Sequence, residues 1–164
     1  MIELCSGNLL AADAEALVNT VNTQGIMGKG IALQFKKAFP DMFKTYEVAC
    51  KQGLIRTGQV QVVALNSLFN PRFIINFPTK QDWRNPSRME YIESGLKDLL
   101  RALKEHKIRS IAIPALGCGN GGLNWKEVQS RIEDAFCALP EVHVFLFPPT
   151  NESTNPFSRK HNAA

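Results

Sequence analysis

The residues with most chemical potential form two glycine-rich segments and one lysine. The first segment is Asn22-Thr23-Gln24-Gly25-Ile26-Met27-Gly28-Lys29-Gly30, at the end of an apolar run. Gly25, Gly28 and Gly30 allow a ligand to approach the main chain. A helix is predicted to open near Gly28 to Ile31, and its first N–H groups lie at the positive end of its dipole, where a phosphate is the natural guest. Asn22 and Gln24 are neutral amides suited to hydroxyls or a base. Read blandly, the stretch is a strand-to-helix turn with incidental glycines, but its density of glycines and amides favours a ligand.

The second segment is Gly117-Cys118-Gly119-Asn120-Gly121-Gly122. It satisfies GxGxxG formally, but a dinucleotide fingerprint also needs an acidic residue ending the next strand. That strand ends in Phe145-Leu146-Phe147-Pro148. The first segment misses the Walker pattern, because Lys29 is followed by Gly30. Two glycine loops at separate strand ends remain, able to clamp a diphosphate with backbone N–H groups from both sides.

Alternating strands and helices must position these loops. Strands are predicted at 2–6, 16–21, 59–65, 72–77, 109–116 and 142–147. Helices are predicted at 29–39 (Ile31, Phe35, Ala38 and Phe39 on one side), 41–52, from Asn85-Pro86 to about 106, and 125–138. Asn124 and Glu127 have capping-box spacing for the last of these. The short 66–71 connection predicts an antiparallel pair. The order implies a three-layer α/β/α sandwich on a mixed, mostly parallel sheet, with ligands beyond the carboxyl ends of its central strands.

At 164 residues and 45% hydrophobic, the chain has material for one core. We expect a domain over 1–149 and a polar, flexible tail over 150–164. Net charge of +4 is compatible with a polyanionic partner without requiring one. The four cysteines make no CxxC pair and read as reduced thiols, and the three histidines lack ligand spacing, so neither metal nor cofactor is expected. No signal peptide or membrane-length apolar run is evident, which predicts a cytoplasmic protein with no membrane partner.

Gly7-Asn8-Leu9, the run 18–32 and Ile113-Pro114-Ala115-Leu116-Gly117-Cys118-Gly119 resemble the signature segments of macrodomains, which bind ADP-ribose. The stretch 22–35, with Thr79-Lys80, is similar to the branch holding the human terminal ADP-ribose glycohydrolase and the bacterial DarG antitoxins. DarG proteins remove ADP-ribose from thymine in single-stranded DNA, where the toxin DarT places it. The resemblance implies that Asn8 and Leu9 meet the adenine and that Thr20, Val21 and Asn22 line the distal ribose. Gly28 and Gly30, with the N–H groups of Ile31, Ala32, Leu33 and Gln34, serve the diphosphate, and Gly117, Cys118, Gly119, Asn120 and Gly121 close over it.

Thr79 and Lys80 match the catalytic segment of that branch. Without the resemblance, Lys80 reads as a surface lysine in Lys80-Gln81-Asp82-Trp83-Arg84. With it, the lysine is a nucleophile or base if deprotonated, or a stabiliser of the departing thymine if charged. The human enzyme pairs its lysine with an Asp in the second loop, where Gly121 stands here. Trp83, Arg84 and Arg88 are candidate DNA contacts, by stacking and by phosphate pairing, or are packing residues. The resemblance thus implies a glycohydrolase acting on ADP-ribosylated single-stranded DNA and releasing ADP-ribose. It also implies a monomer whose cognate toxin binds through a region absent from this chain. An ADP-ribose reader and an O-acetyl-ADP-ribose deacetylase are the rivals.

Overall fold

In a computed structural model, described for residues 1–149, six strands form one sheet. In chain order they are β1 (Ile2–Leu4), β2 (Ala16–Val21), β3 (Gln61–Ala64), β4 (Phe73–Pro78), β5 (Ser110–Ile113) and β6 (His143–Leu146). The spatial order is β1-β6-β5-β2-β4-β3, and only β3 runs antiparallel to its neighbour. The helices are α1 (Gly30–Ala38), α2 (Pro40–Lys51), α3 (Met89–Glu105) and α4 (Trp125–Phe136). The expected tail lies outside the described residues.

Strand alternation sorts the core into two layers. Ala16, Val18, Ile75, Phe77, Ile111, Ile113, Val144 and Leu146 point to α3 and α4. Leu17, Ile74 and Ala112 point to α1 and α2. Helices thus cover both faces, as an apolar parallel sheet requires, and the three-layer sandwich is the observed fold. α3 lies so close to β4 that a Cβ on Gly95 would sit 2.4 Å from Phe77 Cζ. That contact fixes the strand whose end carries Lys80.

Four local expectations are corrected, the first being the strand expected at 109–116, which stops at Ile113. α3 opens at Met89 after Arg88, not at Asn85-Pro86. Residues 81–88 are instead held as a loop: Asp82 accepts from the Arg84 N–H at 2.9 Å, and the Ser87 N–H donates to the Gly121 carbonyl at 3.0 Å. These bonds offer the backbone an alternative to a helical turn. Ala38 faces solvent, while Phe35 is fully buried and Phe39 partly so. β1 stops at Leu4, although Cys5 still donates to the Leu146 carbonyl at 2.8 Å. The Asn124 cap forms as read, its side chain accepting from the Glu127 N–H at 3.2 Å.

Candidate functional site

A cavity of about 820 Å³ opens beyond the carboxyl ends of β2, β4 and β5, within the usual range for small-molecule sites. The predicted residues Thr20, Val21, Asn22, Gly28, Gly30, Ile31, Ala32, Thr79, Lys80, Trp83, Arg84, Gly117, Cys118, Gly119, Asn120 and Gly121 all line it. Segments about 100 positions apart in sequence thus share one wall because three strands end side by side.

The first wall is the start of α1. Its N-cap Lys29 makes no side-chain capping bond, and no acidic residue stands in the first turn. The N–H groups of Gly30, Ile31 and Ala32 therefore have no partner within the helix, at the end where the dipole favours an anion. Leu33 and Gln34 do not line the cavity. The Leu33 N–H already donates to the Lys29 carbonyl at 3.2 Å, and Gln34 is exposed one residue further along.

The amides were assigned too freely by the sequence. Asn22 Oδ1 accepts from the N–H groups of Gln24 (3.0 Å) and Ile26 (3.4 Å) and shares the one Tyr46 hydroxyl hydrogen (2.9 Å) with the Asn22 carbonyl (2.7 Å), while Nδ2 donates to the Ile26 carbonyl at 2.8 Å. The side chain folds its own loop, and only one Nδ2 hydrogen remains for a ligand. Tyr46 is fully buried beneath, and burial pushes its phenol well above its ordinary range. Gln24 is also committed: it accepts from the Trp83 N–H at 3.2 Å and donates to Asp82 at 3.3 Å. It ties the first loop to the segment after Lys80.

The second glycine loop begins at Gly117, whose φ of +70° suits glycine. The Cys118 N–H is spent on the Ala115 carbonyl before the loop, and those of Gly121 and Gly122 on the Cys118 and Gly119 carbonyls inside it. Those of Gly119 and Asn120 open its single 3₁₀ turn (Gly119–Gly121) and have no partner within it. These two N–H groups therefore remain for an anion.

Lys80 reaches across to this loop. Its Nζ donates to the Asn120 carbonyl at 3.1 Å and the Trp83 carbonyl at 3.3 Å. Among the described residues no carboxylate pairs with it: the nearby Asp82 is bound by Arg84 through two side-chain bonds of 3.0 and 2.8 Å. Those bonds, with the Arg84 N–H, hold the Asp82 carboxyl well below its usual range. The packing explains the missing partner. A Cβ on Gly121 would stand 2.5 Å from Ser87 Oγ and 3.1 Å from Ser87 Cβ. Ser87 occupies the space a side chain at 121 would need.

Sequence reasoning missed Ile26, Lys29, Ser87, Pro114 and Ala115, which also line the cavity. Ser87 is 6% exposed, and its hydroxyl is buried without a hydrogen-bond partner; nothing local in the sequence marks it. Asn8 and Leu9 are not among the lining residues. Asn8 caps a 3₁₀ turn by accepting from the Leu10 N–H at 3.1 Å, and Leu9 is buried in the core. Arg88 faces a neighbouring small cavity instead. Among the described residues there is no group of three or more side chains fit to hold a metal, and no helix is long and apolar enough to cross a membrane.

Comparison with known proteins adds four findings. The Macro domain family matches residues 18–132. A protein of Thermus aquaticus named DNA ADP-ribosyl glycohydrolase is 55% identical over 149 residues, covering 91% of this chain and 41% of that protein. Among solved structures, the macrodomain of Mycobacterium tuberculosis DarG is 54% identical with a TM-score of 0.90, covering 92% of this chain and 99% of that one. A Thermosipho africanus DarTG in complex with ADP-ribose is 33% identical with a TM-score of 0.86, covering 96% of this chain and 44% of that one. The chain spans less than half the length of the Thermus aquaticus relative.

Proposed function

The chain belongs to the macrodomain family, and from that premise we propose that it is a glycohydrolase that releases ADP-ribose from thymine in single-stranded DNA. The observation that carries this reading is Lys80 Nζ, fixed by two carbonyls in the wall of a cavity that also holds the N–H groups opening α1 and the second glycine loop. The names of the full-length relatives point the same way.

The diphosphate sits between the N–H groups of Gly30, Ile31 and Ala32 and those of Gly119 and Asn120. Thr20, Val21 and the remaining Nδ2 hydrogen of Asn22 meet the distal ribose, which brings its anomeric carbon towards Thr79 and Lys80. Of the three positions on Lys80 Nζ other than its carbon, two are taken by carbonyls, leaving one for the substrate. A nitrogen already donating to two acceptors is arranged as a donor. In the reaction, water adds to the anomeric carbon as the bond to thymine breaks. The base leaves with the electron pair and takes up a proton, and Lys80 stabilises the charge growing on it. Trp83 and Arg84, at the mouth, receive the DNA.

The protein acts in the cytoplasm as a monomer and reverses the work of a DNA-modifying toxin. The assay is release of free ADP-ribose from an ADP-ribosylated single-stranded oligonucleotide. Among the described residues no carboxylate pairs with Lys80, which favours one other reading, a module that binds ADP-ribose without turnover. Tight binding with no release would establish that reading instead. Acetate release from O-acetyl-ADP-ribose, with none of ADP-ribose from DNA, would establish a deacetylase.

A further inference from the structure

The loop 81–88 is a partition between two cavities. Lys80, Trp83, Arg84 and Ser87 line the large one. Gln81, Asn85, Pro86, Arg88 and Tyr91 line a second one of about 150 Å³ on its other side. Each side carries an aromatic ring with a cation against it. On the first, Lys29 Nζ lies 5.6 Å and Arg84 Cζ 5.9 Å from the centre of Trp83, which is 43% exposed. On the second, Arg88 Cζ lies 6.0 Å from the Tyr91 ring. Lys29, Lys80, Arg84 and Arg88 against Asp82 and Glu90 leave an excess of two positive charges along this path. Among the described residues the ion pair of Arg88 is with Glu90, at 3.3 Å with both side chains largely exposed, so a phosphate can compete for it.

Ring faces alternating with cations suit a single strand, because every base has a face to stack and every link a charge to neutralise. The second cavity is large enough for a single base. We propose that the Arg88–Tyr91 cavity is a second nucleotide subsite, which takes the base and phosphate next to the modified nucleotide after the strand crosses the 81–88 partition. The inference rests on the reading that the substrate is ADP-ribosylated single-stranded DNA, and it adds where the neighbouring nucleotide is held.

Arg88→Gln and Tyr91→Leu test it. Arg88 caps α3 with its backbone and makes no side-chain capping bond, so the first change spares the helix. Leucine keeps apolar bulk at 91 and removes the ring. The probes are a labelled, unmodified single-stranded oligonucleotide followed by anisotropy, and free ADP-ribose followed by calorimetry. Each variant is expected to weaken oligonucleotide binding by about threefold to tenfold and to leave ADP-ribose affinity within about twofold. Arg88→Gln should also lower the salt slope of oligonucleotide binding by about 0.7, as loss of one phosphate contact requires. Unchanged oligonucleotide binding in both variants, a parallel loss of ADP-ribose affinity, or no oligonucleotide binding by the wild type would each overturn the subsite. The glycohydrolase reading fails on a different measurement: wild-type protein that releases no ADP-ribose from modified DNA.

Discussion

Gly121→Asp is the most informative single change, because it sets an electrostatic gain against a steric cost. It installs a carboxylate in the second loop, where the resemblance places the lysine's partner in the human enzyme. The backbone at 121 is not left-handed, so a side chain is tolerated conformationally. Its Cβ, however, would meet Ser87 Oγ at 2.5 Å and Ser87 Cβ at 3.1 Å. Rotating the hydroxyl relieves the first contact and not the second. The two backbones cannot part freely, because the Ser87 N–H is bonded to the Gly121 carbonyl at 3.0 Å. Overpacking of this kind costs about 1–3 kcal/mol. An exposed ion pair returns at most about 1 kcal/mol, and here the new side chain starts against Ser87. The expected net loss is about 1–2 kcal/mol, a fall in melting temperature of about 2–8 °C for a domain of this size. Adding Ser87→Gly removes both contact atoms and should recover at least half of the fall, a coupling of about 1 kcal/mol. Thermal melts of the two single variants and the double variant decide it. An unchanged or higher melting temperature for Gly121→Asp, or strictly additive effects, would refute the packing argument.

Further outcomes follow from the same geometry. Lys80→Ala leaves the backbone donors of both loops in place, so ADP-ribose affinity should change by less than about 1 kcal/mol. Single-turnover release from ADP-ribosylated DNA should fall at least about 100-fold, and equal losses in both would make Lys80 a binding residue. Gly119→Glu points a charge at the diphosphate seat from a residue with φ of +67°, and should abolish the thermal stabilisation that excess ADP-ribose gives the wild type; a retained shift would displace the diphosphate from this loop. Glu15 lies at the far end of the sheet and accepts from the Arg109 and Ser110 N–H groups at 2.7 and 3.0 Å and from Arg72 at 2.9 Å. Partial burial raises its carboxyl, but those bonds and the Arg72 charge outweigh it, so it titrates below its ordinary value. Its stabilisation is complete above the ordinary carboxylate range, about pH 4.3, and is lost as pH falls through the depressed folded value. Glu15→Gln should therefore cost on the order of 1–3 kcal/mol at pH 7 and little near pH 2, with ADP-ribose binding intact; a pH-independent loss in urea melts would contradict this.

The sequence determined whatever depends on near neighbours. Its apolar alternation placed six strands and four helices in order, Asn124 and Glu127 marked a helix start, and the glycine loops fell where three parallel strands end. The uncapped opening of α1 was legible because an anion seat there is made of consecutive residues. The tertiary structure decided the partners. Lys80 is held by the carbonyl of Asn120, which stands 40 residues away, and no spacing rule reports that contact. Ser87 forbids a side chain at 121 only because two loops cross. Asn22 and Gln24 looked available as hydrogen-bonding side chains, and the fold spends nearly all of their capacity on Ile26, Tyr46, Trp83 and Asp82. Asn85-Pro86 carries a good helix-start signal that the loop overrides with Asp82 and Gly121 as acceptors. Periodicity and capping are local energies written residue by residue. The identity of a polar group's partner is set by which strand ends the sheet brings side by side, and a single chain's sequence does not contain that list in order.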